Sequence, residues 1–184
     1  MRTLASADYR YEPVEGAKLP SLEAELESLC RERFRRADRF IQLALLGSAR
    51  CAQGRTLAPR CGLYLSSGLG PVGNNLALQQ QLCRDKVLPK PFNFINTLGS
   101  SSGYYVAKNL GIAGPNLFIS RRNGSFEAAM ALAEADLEAG MVAQALVGVV
   151  EECTLPLDEH RARQRLAGVS EALVESSHWV LLER

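Results

Sequence analysis

Residues 111–157 carry the segment that decides the fold: GIAGPNLFISRRNGSFEAAMALAEADLEAGMVAQALVGVVEECTLPL. Residues 116–120 form a short apolar run that predicts a strand, and residues 124–139 repeat small and apolar side chains at helical spacing up to Gly140. A second apolar run, residues 145–152, is typical of a strand covered on both faces. A strand, a sharp turn, a helix and a strand in this order predict an α/β layered domain.

The turn between this strand and the helix places Asn123 where a nucleophile would be activated. A thiol at a helix N-terminus has a lowered pKa, because the macrodipole and the free N–H groups stabilise its anion. Asn123 is an amide and not a nucleophile, so we expect it to cap the helix and fill space. Its neighbours Arg121 and Arg122 have three open interpretations: they pair with acids on a partner, they attract a second, acidic protein, or they lie in a solvated turn.

The remaining chain adds strands and helices in alternation. Residues 1–19 lack periodicity and predict an irregular N-terminal arm, which leaves residues 20–184 as the folded domain. The charged run LDEHRARQR, residues 157–165, predicts a surface loop. Further strands are expected at residues 61–67 and 178–184, and further helices from Ser21, over residues 35–53 and up to about Gly111.

Composition excludes several classes of function. The chain has 184 residues, enough for one domain, and a net charge of +1, which gives no electrostatic basis for binding nucleic acid. It contains no apolar run of roughly 18 residues and no apolar leader at its start, so we expect no membrane span and a cytoplasmic location. Five cysteines without close spacing indicate neither disulfides nor zinc, and no cofactor is expected.

Residues 68–73 read GLGPVG, a literal GxGxxG after a strand. In a dinucleotide-binding unit this turn holds a pyrophosphate, and an acid about 20 residues later holds the ribose. Here Pro71 interrupts the turn, and Asp85 comes too early between two basic residues. We therefore interpret the segment as a structural glycine turn.

Taken together, the motifs resemble those of the β-ketoacyl synthases of fatty-acid and polyketide synthesis. Asn123 stands where the family's nucleophilic cysteine belongs, and Glu151 matches the glutamate that closes the family's GGAE strand. The resemblance covers residues 36–184, and it implies a thiolase-like α/β/α domain equivalent to the N-terminal half of a ketosynthase. The other similar stretches are RADRFIQLAL, GLYLSSGLGPVGN, KPFNFINT, the TLPL that follows Glu151, and HWVLLER.

The departures from the family pattern concern catalysis. The cysteine is replaced, the family's first strand is not recognisable in residues 1–19, and the C-terminal half with its two histidines and lysine is absent. Decarboxylative condensation needs a thiolate to carry the acyl chain and histidines to stabilise the developing charge. The chain is therefore expected not to be an enzyme by itself.

By this resemblance, the chain is similar to the nucleophile-less chain-length factors, and its small size is like that of the ketosynthase-like partners of aryl polyene pathways. It implies a subunit that pairs with an active β-ketoacyl synthase and shapes its acyl tunnel, with an acyl carrier protein reached through the complex. The alternative is half of a split condensing enzyme, or a malonyl decarboxylase, completed by a partner chain. A small-molecule site at residues 68–73 is a third interpretation.

The resemblance also assigns partner residues. Each assignment to a partner's tunnel has an alternative. Phe92 and Phe94 could equally be aromatic residues of the core, and Tyr104 could pack at an interface or in the core. The implied interface strand consists of Asn116, Leu117, Phe118, Ile119 and Ser120, and the residues that would face the partner's tunnel are Phe92, Asn93, Phe94 and Tyr104.

Overall fold

The computed structural model describes residues 1–164 and 172–184. Over these residues the chain forms one mixed sheet of five strands and seven α-helices, with a π-helical turn at Gln80–Arg84. The strands are β1 (Arg2–Tyr11), β2 (Cys61–Ser66), β3 (Asn116–Ile119), β4 (Gln144–Glu151) and β5 (Glu175–Glu183). The helices are α1 (Glu23–Leu29), α2 (Arg39–Ala52), α3 (Val72–Gln79), α4 (Pro91–Ile95), α5 (Gly99–Leu110), α6 (Ser125–Glu138) and α7 (Leu157–Arg163).

The sheet has the strand order β1-β5-β4-β2-β3. Strands β3, β2 and β4 are parallel, and β5 runs antiparallel to both β4 and β1. Leu63 in β2 lies opposite Asn116 in β3 and Leu146 in β4, which fixes the register of the parallel part. The carboxyl ends of the three parallel strands therefore lie at the same end of the sheet. Strands β1 and β3 are its two outer strands.

Helices cover both faces of the sheet, as the α/β layered prediction requires. On one face α2 and α5 pack through a core that includes Phe40, Leu46 and Trp179. On the other face α6 packs its small residues against Tyr64, whose hydroxyl donates to Asp136 at 2.6 Å. Strand β2, which lies between β4 and β3, is buried along its whole length, which accounts for its continuous apolar sequence.

The expectation of an irregular N-terminal arm without the first strand is wrong. Residues Arg2–Tyr11 form the longest strand and pair with β5 over its whole length. The strand was missed because its inward positions include Ala5 and Ala7, whose small side chains give little hydrophobic signal. Tyr9 packs inward on the same face, and exposed Ser6, Asp8 and Arg10 alternate with these residues.

The charged run after β4 is also not a loop, because Leu157–Arg163 forms α7. His160 on this helix is fully buried, and its Nδ1 lies 3.0 Å from Thr154 Oγ1. Burial lowers the pKa of His160. The last residue of the run, Arg165, lies outside the described residues. The strands predicted at residues 61–67, 116–120, 145–152 and 178–184, and the helix at 124–139, are confirmed within a few residues at their ends.

Candidate partner-binding surface

The turn that would carry a nucleophile joins β3 to α6 and presents Asn123 to solvent. The expectation that Asn123 caps the helix and fills space is wrong. Gly124 is the N-cap residue, with φ of 73°, and Arg122 also has a positive φ of 62°. The Ser125 hydroxyl accepts a hydrogen bond from the Arg121 N–H at 2.9 Å, so Ser125 closes the turn instead.

The turn lies on the glycine-rich segment that follows β2. A Cβ atom at Gly68 would come within 2.7 Å of the Arg122 carbonyl oxygen, so only glycine allows this approach. Glu151, at the end of β4, accepts hydrogen bonds from the Gly68 N–H and from the Ser67 hydroxyl, the latter at 3.1 Å. Burial raises the pKa of Glu151, and these hydrogen bonds partly offset the increase.

The next carboxyl, Glu152, binds the other end of the glycine segment. Its Oε1 accepts from the Gly73 N–H at 2.7 Å, in the first turn of α3, where Pro71 as N-cap offers no side-chain acceptor. Burial, together with the negative charges of Asp38 and Glu175, raises the pKa of Glu152 to about 8. A bound pyrophosphate would need the N–H groups of Gly68 and Gly73 as donors. Both N–H groups already donate to the chain's own carboxyl groups, which argues against a nucleotide site.

Strand β3 leaves one backbone edge free. The Leu63 N–H donates to the Pro115 carbonyl at 2.8 Å, and the Ser67 N–H donates to the Ile119 carbonyl at 3.1 Å. Backbone groups alternate in direction along a strand, so those of Asn116, Phe118 and Ser120 face away from β2. Among the described residues no strand pairs with this side. The strand contains no charged residue.

The side chains of β3 divide between the core and solvent. Asn116, Leu117 and Ser120 are exposed, whereas Ile119 is half-buried. Phe118 packs edge to face on Phe40, with ring centroids 6.2 Å apart. Its ring also lies against Gly99 at the start of α5, where a Cβ would come within 2.3 Å. Helix α5 and β3 therefore share one surface of the molecule.

The aromatic residues assigned to a partner's tunnel lie at the surface. Phe92, Phe94 and Tyr104 are 41%, 57% and 60% exposed, so the alternative interpretation as core residues is not supported. Asn93 is half-buried, and its carbonyl accepts from the Asn74 side chain at 2.7 Å, which ties α4 to α3. Tyr105 supports Tyr104 edge to face, with centroids 5.7 Å apart.

The full extent of this surface is not evident from the amino-acid sequence. Leu88 is 88% exposed, and further apolar residues are exposed in the segment between α3 and α5. Their signal in the sequence is weak, because they show neither helical nor strand periodicity. We define the apolar surface as the set of exposed residues Leu82, Val87, Leu88, Phe92, Phe94, Ile95, Leu98, Tyr104 and Leu117. Seven of the nine lie within residues 82–98, and such a concentration of exposed apolar side chains in one segment is typical of a surface that a partner covers.

Two surface cavities lie away from these residues. One, of about 370 Å³, lies beside α1 and the start of α2, and the other, of about 610 Å³, lies beside the C-terminal ends of α2 and α5. Neither is lined by Asn123 or by a residue of the apolar surface. Within residues 1–164 and 172–184 no cluster of three or more His, Cys, Asp or Glu side chains is arranged to hold a metal ion. None of the described helices is both long and apolar enough to cross a membrane.

No protein-family model matches the chain, and no curated protein matches its sequence. Its fold does match solved structures. "The ishigamide ketosynthase/chain length factor" superposes with a TM-score of 0.73 at 20% identity, over 86% of this chain and 47% of that chain. A ketosynthase in complex with its chain length factor from Xenorhabdus doucetiae gives 0.72 at 14% identity, over 100% and 78%.

A type II polyketide synthase acyl-carrier protein in complex with its ketosynthase gives a TM-score of 0.69 at 14% identity, over 98% of this chain and 57% of that chain. The chain thus has the mixed α/β fold of ketosynthases and chain length factors, which confirms the fold expected from the motifs. It spans about half the length of the first and third of these proteins.

Proposed function

We propose that the chain is a non-catalytic, chain-length-factor-like subunit that pairs with an active β-ketoacyl synthase and shapes its acyl tunnel. The observation that carries the proposal is the free, uncharged edge of β3 beside the apolar surface. The solved structures with this fold include ketosynthases bound to chain length factors. The pathway class is polyketide or fatty-acid synthesis of the aryl polyene type.

The site chemistry supports a role without catalysis. Asn123 occupies the turn of the nucleophile and is exposed, and an amide cannot form the acyl-enzyme intermediate. The buried carboxyl groups below the turn, Glu151 and Glu152, bind backbone N–H groups and so serve the architecture. An acyl carrier protein would then deliver its substrate to the ketosynthase of the complex.

Two physical contributions would drive the association. The outward N–H and C=O groups of Asn116, Phe118 and Ser120 offer backbone hydrogen bonds to a partner strand, as in β-strand addition. The apolar surface supplies the desolvation energy, at roughly 25 cal/mol for each Å² that it buries. A partner strand would also protect an edge that otherwise invites aggregation.

The association is tested by mixing the purified chain with an active β-ketoacyl synthase from the same gene neighbourhood and measuring the complex by size-exclusion chromatography and calorimetry. Leu117→Arg places a charge on the free edge and should weaken binding about 100-fold or more. The matched control Ser6→Arg places the same charge on the exposed side of β1 and should leave binding unchanged. A chain that stays monomeric with every such ketosynthase would contradict the proposal.

The tunnel role has its own readout, the chain length of the product. Tyr104→Ala removes a bulky side chain and should allow longer products without a change in complex stability beyond about tenfold. A second variant, Asn123→Ala, should leave both the complex and its turnover unchanged. Loss of turnover in an intact complex would instead show that Asn123 has a chemical role.

A further inference from the structure

The larger of the two surface cavities, about 610 Å³, lies where the C-terminal ends of α1, α2 and α5 come together. Among the described residues its wall contains two arginines, Arg31 and Arg55, and no aspartate or glutamate. The smaller cavity differs, because three glutamates and two arginines line it. Of the two cavities, the larger is therefore the one whose charged side chains are all positive.

A buried amide forms part of the wall of the larger cavity. Asn109, in the last turn of α5, is only 1% exposed, and its Oδ1 accepts a hydrogen bond from the Arg31 N–H at 2.9 Å. This hydrogen bond fixes the orientation of the amide, so the Nδ2 donor points away from the Arg31 backbone. Within the described residues the Nδ2 has no acceptor, and it is not one of the fully enclosed atoms that lack a partner. Its acceptor must therefore come from the cavity, as a water molecule or a ligand oxygen.

The two arginines extend from different helix ends to this cavity. Arg31 follows α1, and its guanidinium lies against the end of α5, since a Cβ atom at Gly111 would come within 3.1 Å of the Arg31 Nη1. The acid next to it in the chain, Glu32, binds Lys108 at 2.6 Å instead. Arg55 follows α2 and is exposed. Within the described part of the chain neither guanidinium donates a hydrogen bond or forms an ion pair.

Unpaired arginines also occur elsewhere on the surface, so charge alone does not define this site. Here the two arginines share a cavity with a buried amide donor and with an apolar wall of Leu29, Leu57 and Leu110. The C-terminal ends of α2 and α5 each carry about half a negative charge, which compensates about one of the two arginine charges. About one positive charge remains. An anion with several acceptor oxygens and an apolar portion fits this combination.

We propose that this cavity binds the phosphate group of a small organic phosphate, with Arg31 and Arg55 as charged donors and the Asn109 Nδ2 as a neutral donor. Guanidinium groups match phosphate geometry, and a phosphate has enough oxygens for donors that come from three helices. The leucines of the wall contact the organic portion. No residue of the apolar surface lines the cavity, so this site does not depend on the proposed function.

The test titrates the purified chain alone with inorganic phosphate, phenyl phosphate and benzoate by isothermal titration calorimetry at about 50 mM salt, where screening is weak. We expect one saturable site for phenyl phosphate, with a dissociation constant on the order of 1 mM. Inorganic phosphate should bind more weakly because it does not contact the leucines, and benzoate should bind more weakly because it has fewer oxygens. Phenyl phosphate should also raise the melting temperature in a saturable way.

Three variants assign the binding to this cavity. Arg31→Gln/Arg55→Gln removes both charges and should weaken phenyl phosphate binding about tenfold or more. Asn109→Asp keeps the acceptor for the Arg31 N–H but replaces the Nδ2 donor by a carboxylate oxygen, so it should weaken binding about tenfold although both arginines remain. The control Arg60→Gln removes an exposed arginine outside the cavity wall and should bind as the wild type does. Urea unfolding establishes that each variant is folded, and the double arginine variant decides the test if Asn109→Asp does not fold.

The results that would overturn the proposal are distinct. A wild type that binds neither phosphate would show that the arginines only neutralise the helix ends. Equal binding in the wild type and Arg31→Gln/Arg55→Gln, or an equal loss in Arg60→Gln, would show that the cavity is not the site. Equal affinity for phenyl phosphate and inorganic phosphate would overturn the role of the leucines, and equal affinity for benzoate would overturn the choice of phosphate.

Discussion

The two outer strands of the sheet, β1 and β3, differ in how well their free edges are protected against pairing with another strand. Strand β1 has ten residues, carries Arg2, Asp8 and Arg10, and has a register shift between Thr3 and Ala5. Charges and irregularities of this kind prevent edge-to-edge pairing. Strand β3 has four residues without a charge and lies beside the apolar surface. The sheet is therefore protected at one edge and open at the other.

Under the proposed function, stability and association would be located in different halves of the sheet. Near β1 a buried ion pair connects the start of α2 to the start of β5, since Arg39 binds Glu175, which is fully buried, and also donates to the Pro20 carbonyl at 2.7 Å. Near β3 the corresponding features are exposed apolar side chains and free backbone groups. Substitutions on the β1 side should affect folding, and those on the β3 side should affect binding.

The largest expected effect is on stability and comes from Arg39→Met. The variant leaves the Glu175 carboxylate buried without its partner, which should lower the free energy of unfolding by about 3–5 kcal/mol. Urea unfolding at neutral pH measures it, and exposed Arg10→Met on β1 serves as the control, with an expected change within about 0.5 kcal/mol. The double variant Arg39→Met/Glu175→Gln should recover part of the loss. A loss below about 1 kcal/mol in Arg39→Met would contradict the assignment of stability to this side.

The second effect concerns pH and the carboxyl below the glycine segment. The folded-state pKa of Glu152, about 8, lies above the usual 4.5 for a glutamate, so folding favours the neutral form. The stability that this neutral form contributes is complete below about pH 4.5 and is lost as the pH rises through about 8. The free energy of unfolding should therefore fall across this window by an amount on the order of a few kcal/mol.

Glu152→Gln keeps the acceptor for the Gly73 N–H and removes the ionisation, so the decrease should become smaller in this variant. Urea unfolding at about pH 5, 7 and 9 measures the difference. Exposed Glu127→Gln on α6 is the matched control and should follow the wild-type curve. Equal pH dependence in Glu152→Gln and wild type would show that Glu152 is ionised in the folded protein across the window.

The smallest expected effect isolates the backbone edge of β3. Ser120→Pro removes one outward N–H and should weaken ketosynthase binding about tenfold, a typical value for one lost interfacial hydrogen bond. Ser120→Ala removes the hydroxyl and keeps the N–H, so its affinity should match the wild type. Both variants should unfold at the wild-type urea concentration. Equal affinity in the two variants would mean that the partner does not pair with this edge.

Whether a strand or helix could be predicted from the sequence depended on the strength of its local hydrophobic pattern. Strand β2 and strand β4 are continuously apolar and bounded by turn residues, so both were predicted within a few residues. The same reasoning failed for β1, because Ala5 and Ala7 are too small to reveal alternation. It also failed for α7, where a charged sequence conceals the buried His160.

For the candidate site, the apolar run predicted β3 as a strand, but only the family resemblance assigned it to an interface and the aromatic residues to a partner's tunnel. It assigned Asn123 a capping role that Gly124 and Ser125 perform together. It also did not reveal that Glu152 binds the Gly73 N–H, because this contact joins residues far apart in the chain. Stacking of Arg36 on Phe92 was missed for the same reason.

The sequence by itself determined four of the five strands of the described residues, the helix after β3, the lack of a cysteine at the turn after β3, and the small net charge. Local propensity and residue chemistry are sufficient for these features. Only the tertiary structure decided which strands lie at the edges, which apolar side chains remain exposed, and which cations remain unpaired. Each of these depends on non-local pairing, since a strand becomes an edge only when the other strands have taken their places.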